Sequence, residues 1–551
     1  MLKRICNIAD GYKRNRLCIA IAVLSILIFF APNYRKGLIE GSDAPFHLAR
    51  IDSLAQDLSK GIFPVKVHTE LGYDYGYGVG LFYQNHFLYL PAFLRLLGCS
   101  LETSYKIYLF LIVSAVYLSA FYAAFCISKD KYGATIAAIC YLFSHQFISS
   151  CYEHFTIGSS VGMIFMPLAI VGMEQFLVKD KPPILLGIGF GGGVCGHTLT
   201  AYMAFAVCLL LVIAYIKDLW KNPRKIGYLL VTVGAVLALT ISYWLPMWEA
   251  FRVQGYKVSR SWTIPEENVV SIWRLIGSSG IGWPLFFWLL IIFFFLVEKK
   301  GCKEYGLIRT QFIIILILLA LQATQRFWVI TRPVTQTLQF PKRLFIPATV
   351  LLVFCAALAV SALEISDDWK KILVVMNFVI AVYFGIGMIN GLNMDERTAD
   401  YSERIIYEEI AGFGAGEEWL PVETTREMIN DLNQAMADDG TIVMGEKTEA
   451  YYRFIADTGK EYYDVPFIYY RGYQAVAEDG RRLEVDKNPE TSMVRVFLPK
   501  EGMEAGKMEV AVKYEGTVLQ KLSYAINIAA VLAVTGASFL YFRKKRKTAQ
   551  G

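Results

Sequence analysis

Long stretches without charge dominate the chain. Runs such as Cys18–Phe30, Ile226–Leu245, Phe312–Leu321 and Ile372–Ile386 carry no Asp, Glu, Lys, Arg or His. With their flanks, most approach the roughly 20 residues that take a helix through a bilayer. Spans are expected near 18–30, 104–127, 132–150, 156–178, 184–198, 200–216, 226–250, 281–297, 308–323, 344–363, 370–390 and 523–541. The fold class this predicts is a mostly α polytopic membrane protein with about twelve transmembrane helices.

The polar segments between the runs give an orientation. Lys3, Arg4, Lys13, Arg14 and Arg16 precede the first run, which predicts a cytoplasmic N-terminus and an uncleaved signal anchor. The loops Lys129-Asp-Lys131, Lys179-Asp-Lys181, Lys217–Lys225, Glu298–Arg309 and Trp369–Lys371 then fall inside, as does Lys544-Lys-Arg-Lys547. That agreement requires the apolar stretch Leu81–Leu97, broken by Gln84, Asn85, His86, Pro91 and Arg95, not to cross. It reads as re-entrant or as a short packed helix. The loop 33–103 is therefore expected outside, in a multi-pass protein of the cell membrane.

That loop opens with an amphipathic pattern. Asp43, His47 and Arg50 fall at i, i+4 and i+7 of a helix, on one face. Leu48, Ile51, Ala55 and Leu58 line the other, and Lys60-Gly61 with Pro64 supplies a stop. The pattern predicts a helix on the membrane surface, presenting an acid, an imidazole and a guanidinium to water.

From about Gly391 to Leu522 the sequence turns polar and acidic. Asp395, Glu396, Glu408, Glu409, Glu417 and Glu418 sit in helical patterning, followed by strand-like alternation at Met493–Leu498 and Met508–Tyr514. The predicted division is a transmembrane domain 1–390, an extracytoplasmic α+β domain 391–522, and a last helix with a basic tail, 523–551.

Composition narrows the classes. The 551 residues are 55% hydrophobic and 14% aromatic, too apolar for an ordinary soluble enzyme. The formal charge of +6 sits in short loops, where orientation explains it, and no nucleic acid is expected as a partner. Ten cysteines are scattered without a C-x-x-C pair, so neither a zinc site nor a disulfide framework is signalled. No P-loop, dinucleotide fingerprint, HExxH or nucleophile elbow is present.

The candidate chemistry maps to the outer side, together with all six histidines. Asp43 is either a helix cap or an acid with a task; alone, the cap is the plainer reading, and His47 and Arg50 on its face bring the two level. Tyr73, Tyr75 and Tyr77 lie in a glycine-rich loop and suit the apolar face of a sugar, or else an interfacial aromatic belt. Glu153-His154 occupies a very short outer loop. His197 follows Gly191-Gly-Gly193 at a turn, where a satisfied core histidine is the plainer reading. Arg326, Arg332, Lys342 and Arg343 gather in one loop and can hold a phosphate or meet lipid head groups.

In order along the chain, Gly41, Asp43, His47, Arg50, Gly61, Pro64, Gly76-Tyr-Gly78, Phe82-Tyr83, Gln339-Phe-Pro341, Arg343, Trp419-Leu-Pro421, Tyr470 and Gly472-Tyr473 resemble one family. It is that of the GT-C-type, YfhO-like bacterial multi-spanning membrane glycosyltransferases, some labelled 6-pyruvoyl-tetrahydropterin synthase-related membrane proteins. The resemblance implies a GT-C-like transmembrane domain and a polyprenyl-phosphate-linked sugar as donor. It further implies transfer on the outer leaflet to a cell-envelope glycan, polymer or lipid, with inversion. Asp43 would be the general base, oriented by His47, while Arg50, Arg326 and Arg343 would hold the donor phosphate. Tyr73, Tyr75, Tyr77, Glu153, His154 and His197 would face the sugar or acceptor. Lys342 stands where an aromatic is more usual, and Trp419 where a tyrosine is. A second acid beside the first-loop one is missing, so a divalent cation stays open as cofactor. The histidines lack the spacing of a pterin enzyme's metal ligands. A lipid or polysaccharide transporter and a non-catalytic glycan-binding envelope protein are the competing classes.

Overall fold

The computed structural model describes residues 2–260, 263–277, 280–393, 396–400, 416–429, 434–447, 451–499 and 506–548. Its helices run, in chain order, α1 (Leu2–Phe30), α2 (Ala44–Ser59), α3 (Val79–Phe82), α4 (Tyr89–Leu96), α5 (Leu101–Ser128), α6 (Lys131–Leu142) and α7 (His145–Ile148). Next come α8 (Ile157–Lys179), α9 (Ile184–Gly196), α10 (Thr198–Ala214), α11 (Ile216–Lys221), α12 (Pro223–Leu239), α13 (Ile241–Val253) and α14 (Ile272–Ile276). The series ends with α15 (Trp283–Glu298), α16 (Tyr305–Gln322), α17 (Gln325–Thr335), α18 (Phe345–Ser361), α19 (Asp367–Asn390) and α20 (Val518–Thr548).

Every stretch expected to span is helical. Among the described residues seven helices are long and apolar enough to cross a membrane, or nine if two bent pairs each count as one span. The bent pairs are Lys131–Leu142 with His145–Glu153, and Pro223–Leu239 with Ile241–Val253. α9, α10 and α15 are apolar but shorter. Leu81–Leu97 forms only short helices, α3 and α4, and α4 is 8 residues long, too short to cross.

Contacts divide the chain into two interleaved units. Met1–Ala44, Tyr105–Val236 and Thr263–Ser402 make the first; Pro45–Ser104, Leu237–Trp262 and Glu403–Gly551 make the second. This grouping by contact cuts across the linear one at 390 and 522, because loop 45–104 shares a core with the later strands. The acidic patterning at Glu408 and Glu409 lies outside the described residues.

In the first unit α18 is central. Every residue from Phe345 to Val360 is buried, as expected of a helix that is apolar all round. It packs against α6, α15 and α16. Where helices approach most closely, glycine makes the room. A Cβ on Gly133 of α6 would lie 2.6 Å from the Ala357 carbonyl oxygen of α18. On the α8–α9 seam, one on Gly172 would lie 2.2 Å from Leu186 N, and one on Gly189 2.3 Å from Ala169 N. Gly191-Gly-Gly193 lies inside α9 and not at a turn; a Cβ on Gly192 would strike the Phe165 ring. Backbones that close are a packing device suited to lipid, where burial alone does not drive helices together. Two short strands, β1 (Leu38–Ile39) and β2 (Thr398–Ala399), pair antiparallel in the same unit.

The second unit is built on an antiparallel nine-stranded sheet. In chain order its strands are β3 (Gln434–Ala437), β4 (Ile442–Met444), β5 (Glu446–Lys447), β6 (Tyr452–Asp457), β7 (Tyr462–Ile468), β8 (Tyr473–Ala477), β9 (Arg482–Lys487), β10 (Met493–Phe497) and β11 (Lys507–Tyr514). The spatial order is β4-β3-β7-β10-β9-β8-β11-β6-β5, and the sheet curls until β4 meets β6. Alternate residues of β7, β8, β10 and β11 fill its core. A second core joins the sheet to loop residues Val67, Leu71, Tyr75, Tyr77 and Phe82.

Gly172→Ala should cost about 1–3 kcal/mol, since the new methyl meets backbone that no rotamer change can move. Thermal melts of the purified protein in detergent check it, with exposed Gly227→Ala as the control that leaves the midpoint in place.

Candidate functional site

The site is assembled in the first unit, around the four residues that follow β1. Glu40 N donates to Arg397 O at 2.6 Å, and Asp43 N donates to His154 O at 2.9 Å. Ser42 Oγ lies 3.3 Å from the same His154 carbonyl. Between them Gly41 is pressed against the 154–155 peptide. A Cβ there would lie 2.6 Å from Phe155 N and 2.7 Å from His154 C. Glycine is required for this approach, and the approach fixes the backbone of Asp43.

The Asp43 side chain is half-buried, and among the described residues its hydrogen bond comes from Ser42 Oγ, 3.0 Å away. Burial raises its pKa above the ordinary carboxylate value; the Ser42 bond, His154 and Arg343 pull the other way without prevailing. A capping role would need the carboxylate on a helix amide instead.

His154 is delivered by a π-helical turn, Ser149–Glu153, after which its N–H donates to Ser149 O at 2.9 Å. Phe155 then takes φ 59°, left-handed for a non-glycine residue, and its ring stacks on Tyr105 at 4.4 Å. Glu153 Oε2 stands 3.9 Å from His154 Nε2 and accepts from Ser149 Oγ at 2.5 Å. Burial lowers the His154 pKa, with Lys342 and Arg397 acting in the same sense against Glu153 and Asp43. The imidazole is held neutral.

Arg343 sits in the turn Pro341–Leu344, just before α18. Gln339, at φ 60°, reverses the chain so that its Oε1 accepts from Arg343 Nη1 at 3.1 Å. The same nitrogen donates to Leu338 O at 2.9 Å, and the guanidinium lies 5.4 Å from the Phe340 ring. His197, between α9 and α10, bonds Thr200 Oγ1 at 2.7 Å. The Arg343 charge is felt by both Asp43 and His197, and that of Lys342 by His154. Four remote segments thus bear on one another electrostatically: 41–43, 153–154, 197 and 342–343.

Other expected site residues go elsewhere. Arg326 is exposed on α17 and, among the described residues, makes no hydrogen bond or ion pair to Asp43, His154 or Arg343. His47 and Arg50 belong to the second unit and do not face water. His47 is 2% exposed, with the Phe46 and Tyr83 rings 5.1 and 5.8 Å away. Arg50 is fully buried, donating to Tyr83 O, Gln84 O and Asn85 Oδ1 at 3.1, 3.1 and 2.8 Å. The polar face of α2 is thus covered by residues 83–85, which corrects the surface-helix expectation.

The tyrosine loop is likewise corrected. Only Tyr73 is exposed. Tyr75 and Tyr77 are core residues, and Tyr77 Oη donates to Gly416 O at 2.6 Å. Phe82 stacks on Trp419 at 5.1 Å, and the Tyr470 ring fills the space a Cβ on Gly78 would need. These motif residues hold loop and sheet together within the second unit.

Arg397 is the member that sequence reasoning did not single out, and nothing in the sequence marks it; Lys342 was named only as part of the basic loop with Arg343. Among the described residues no three His, Cys, Asp or Glu side chains are grouped to hold a metal ion, and Glu153 with His154 offers only two donors. Cys151 and Cys195 are both free thiols.

No family profile matches the chain, and no protein of known function matches it in sequence. In coarse fold it is similar to the mycobacterial arabinofuranosyltransferase AftD, 12% identical over 69% of this chain and 27% of that one, TM-score 0.45. It is similar to the Archaeoglobus fulgidus oligosaccharyltransferase, 13% identical over 71% and 57%, TM-score 0.40. A third is the Mycobacterium smegmatis arabinosyltransferase EmbB, 8% identical over 92% and 65%, TM-score 0.37. The chain thus spans from 27% to 65% of the length of these structures.

Burial makes Asp43 hold its proton more firmly folded than unfolded, so its contribution to stability falls as pH rises through the carboxyl range. Asp43→Asn should match or exceed wild type in melting temperature at neutral pH. The gap should close on acidification below the folded pKa. Paired thermal melts near pH 7 and pH 4 measure it; a gap that widens on acidification would contradict the burial of this acid.

Proposed function

We propose that the chain is a membrane glycosyltransferase, moving a sugar from a polyprenyl-phosphate donor to a hydroxyl of a cell-envelope glycan or lipid. The observation that carries this reading is the shared neighbourhood of Asp43, His154 and Arg343 beside a bundle of apolar helices. A base and a phosphate-binding cation, both set by backbone contacts, are what sugar transfer from a lipid phosphate needs.

In this mechanism Asp43 accepts the proton of the acceptor hydroxyl. The acceptor oxygen bonds to the anomeric carbon as the bond from that carbon to the phosphate oxygen breaks. The leaving lipid phosphate takes the electron pair, and Arg343, with Lys342 beside it, stabilises the charge that develops there. Neutral His154 orients the acceptor through its ring nitrogens. Attack opposite the leaving group inverts the anomeric centre. The site is extracytoplasmic, where a donor arriving within the membrane replaces the nucleotide sugar of the cytoplasm. Any divalent cation would have to be brought or completed by the substrate phosphate.

One observation favours a second class. Glu174 of α8, 1% exposed, accepts from Gln311 Nε2 of α16 at 2.5 Å inside the bundle. Acids at such positions serve proton-coupled transporters. Glycolipid flux across proteoliposomes without a new glycosidic bond would establish that class instead.

Asp43→Asn should fold and lose about 10²–10⁴-fold in transfer rate, the usual contribution of a general base. Arg343→Met should lose transfer while Arg343→Lys keeps part of it. The assay is radiolabelled sugar incorporation by purified protein given polyprenyl-phosphate sugar. Undiminished transfer by Asp43→Asn would remove the mechanism.

A further inference from the structure

Lys66, in the second unit, is a buried cation without an acid. It is 9% exposed, its Nζ donates to Ser242 O at 3.0 Å, and the Tyr524 ring centroid lies 5.7 Å from it. Among the described residues no carboxylate pairs with it. The residue before it is fixed at both backbone groups: Val65 N donates to Tyr89 Oη at 3.1 Å, and Asn85 Nδ2 donates to Val65 O at 3.2 Å. An ammonium has three protons to place, and one carbonyl takes one of them. Burial lowers the Lys66 pKa to about 8, so the group is still largely charged at neutral pH. The charge is also felt by His86. A buried charge left in this state costs several kcal/mol unless an anion joins it.

Its place in the fold says which anion. Ser242 begins α13 directly after the break that follows α12, and α13 packs on α20. Asn527 Nδ2 donates to Leu239 O at the same break, at 2.5 Å. Interrupted helices of this kind present polar groups to ligands at membrane depth. α20 has 31 residues, about 46 Å at 1.5 Å per residue, enough for a hydrocarbon core with both head-group layers. Tyr524 lies about 9 Å along α20 from its first residue, at the start of the span expected at 523–541.

We propose that Lys66 anchors a phosphate ester at the break between α12 and α13, against Tyr524 and with His86 alongside. An anionic phospholipid supplies the phosphate, and the site is separate from Asp43 and its neighbours in the first unit. The ammonium gives two further hydrogen bonds to phosphate oxygens, and His86 gives a third.

Native mass spectrometry of the full-length protein tests this with phosphatidylglycerol, with diacylglycerol, which lacks phosphate, and with inorganic phosphate as competitor. Wild type and Lys66→Arg should retain phosphatidylglycerol over diacylglycerol, and Lys66→Met should lose at least about 10-fold in affinity, some 1.4 kcal/mol. Displacement by millimolar inorganic phosphate would make a free phosphate the source and keep the site. If Lys66→Met does not fold, amine labelling of wild-type Lys66 decides: phosphatidylglycerol should protect it, and diacylglycerol should not. Equal binding by Lys66→Met, or no protection, overturns the proposal.

Discussion

The first unit's chemistry depends on one close approach, that of Gly41 to the peptide joining His154 and Phe155. No side chain fits between them, and the two carbonyl-directed bonds from Ser42 and Asp43 follow from the contact. A loop residue after a two-residue strand would ordinarily sample many positions, at a cost of roughly 1–2 kcal/mol per residue to order. Here that ordering is enforced by backbone, and the bond from Ser42 Oγ then holds the carboxylate of Asp43. The same contact brings the acid under the influence of His154, whose position the π-helical turn sets independently.

Apolar surroundings explain why glycine recurs in both structural roles. Helices in lipid gain little from burying more hydrocarbon, so their association rests on close packing. Gly133, Gly172 and Gly189 permit it, and the wholly buried α18 is the outcome. The turn at Gln339–Arg343 leads straight into that helix. A rigid central element therefore carries the cation at its start, which keeps Arg343 fixed relative to the bundle.

Much of this was legible in the sequence, and the failures share a cause. Apolar runs marked every expected span as helix, and strand alternation marked β10 and β11 almost to the residue. Asp43, His154 and Arg343 stood out as candidates in the sequence, and the structure puts their charges within reach of one another. Periodicity, however, says only which residues share a face, not what covers that face. Arg50 was therefore read as wet, when the carbonyls of Tyr83 and Gln84 enclose it. For the same reason the spacing of Tyr75 and Tyr77 suits a sugar platform or an interfacial belt equally; the strands that bury them come some 390 residues later. Glycine-rich spacing at Gly191–Gly193 suggested a turn, whereas close helix packing demands the same residue inside a helix.

Electrostatics at Asp43 set a balance with a functional meaning. Full pairing with Arg343 would drive the carboxyl's pKa down and leave a poor proton acceptor. Burial wins instead, so the acid is more basic than one on the surface, with the cation near enough to lower its pKa and too weakly coupled to quench it. Arg343 Nη1 donates to Leu338 O and Gln339 Oε1, which orient the guanidinium. His154 is held neutral by burial and by Lys342, so it adds a hydrogen-bonding group and no second competing charge. Under the proposed mechanism, a site arranged this way would separate the task of taking a proton from the task of holding an anion.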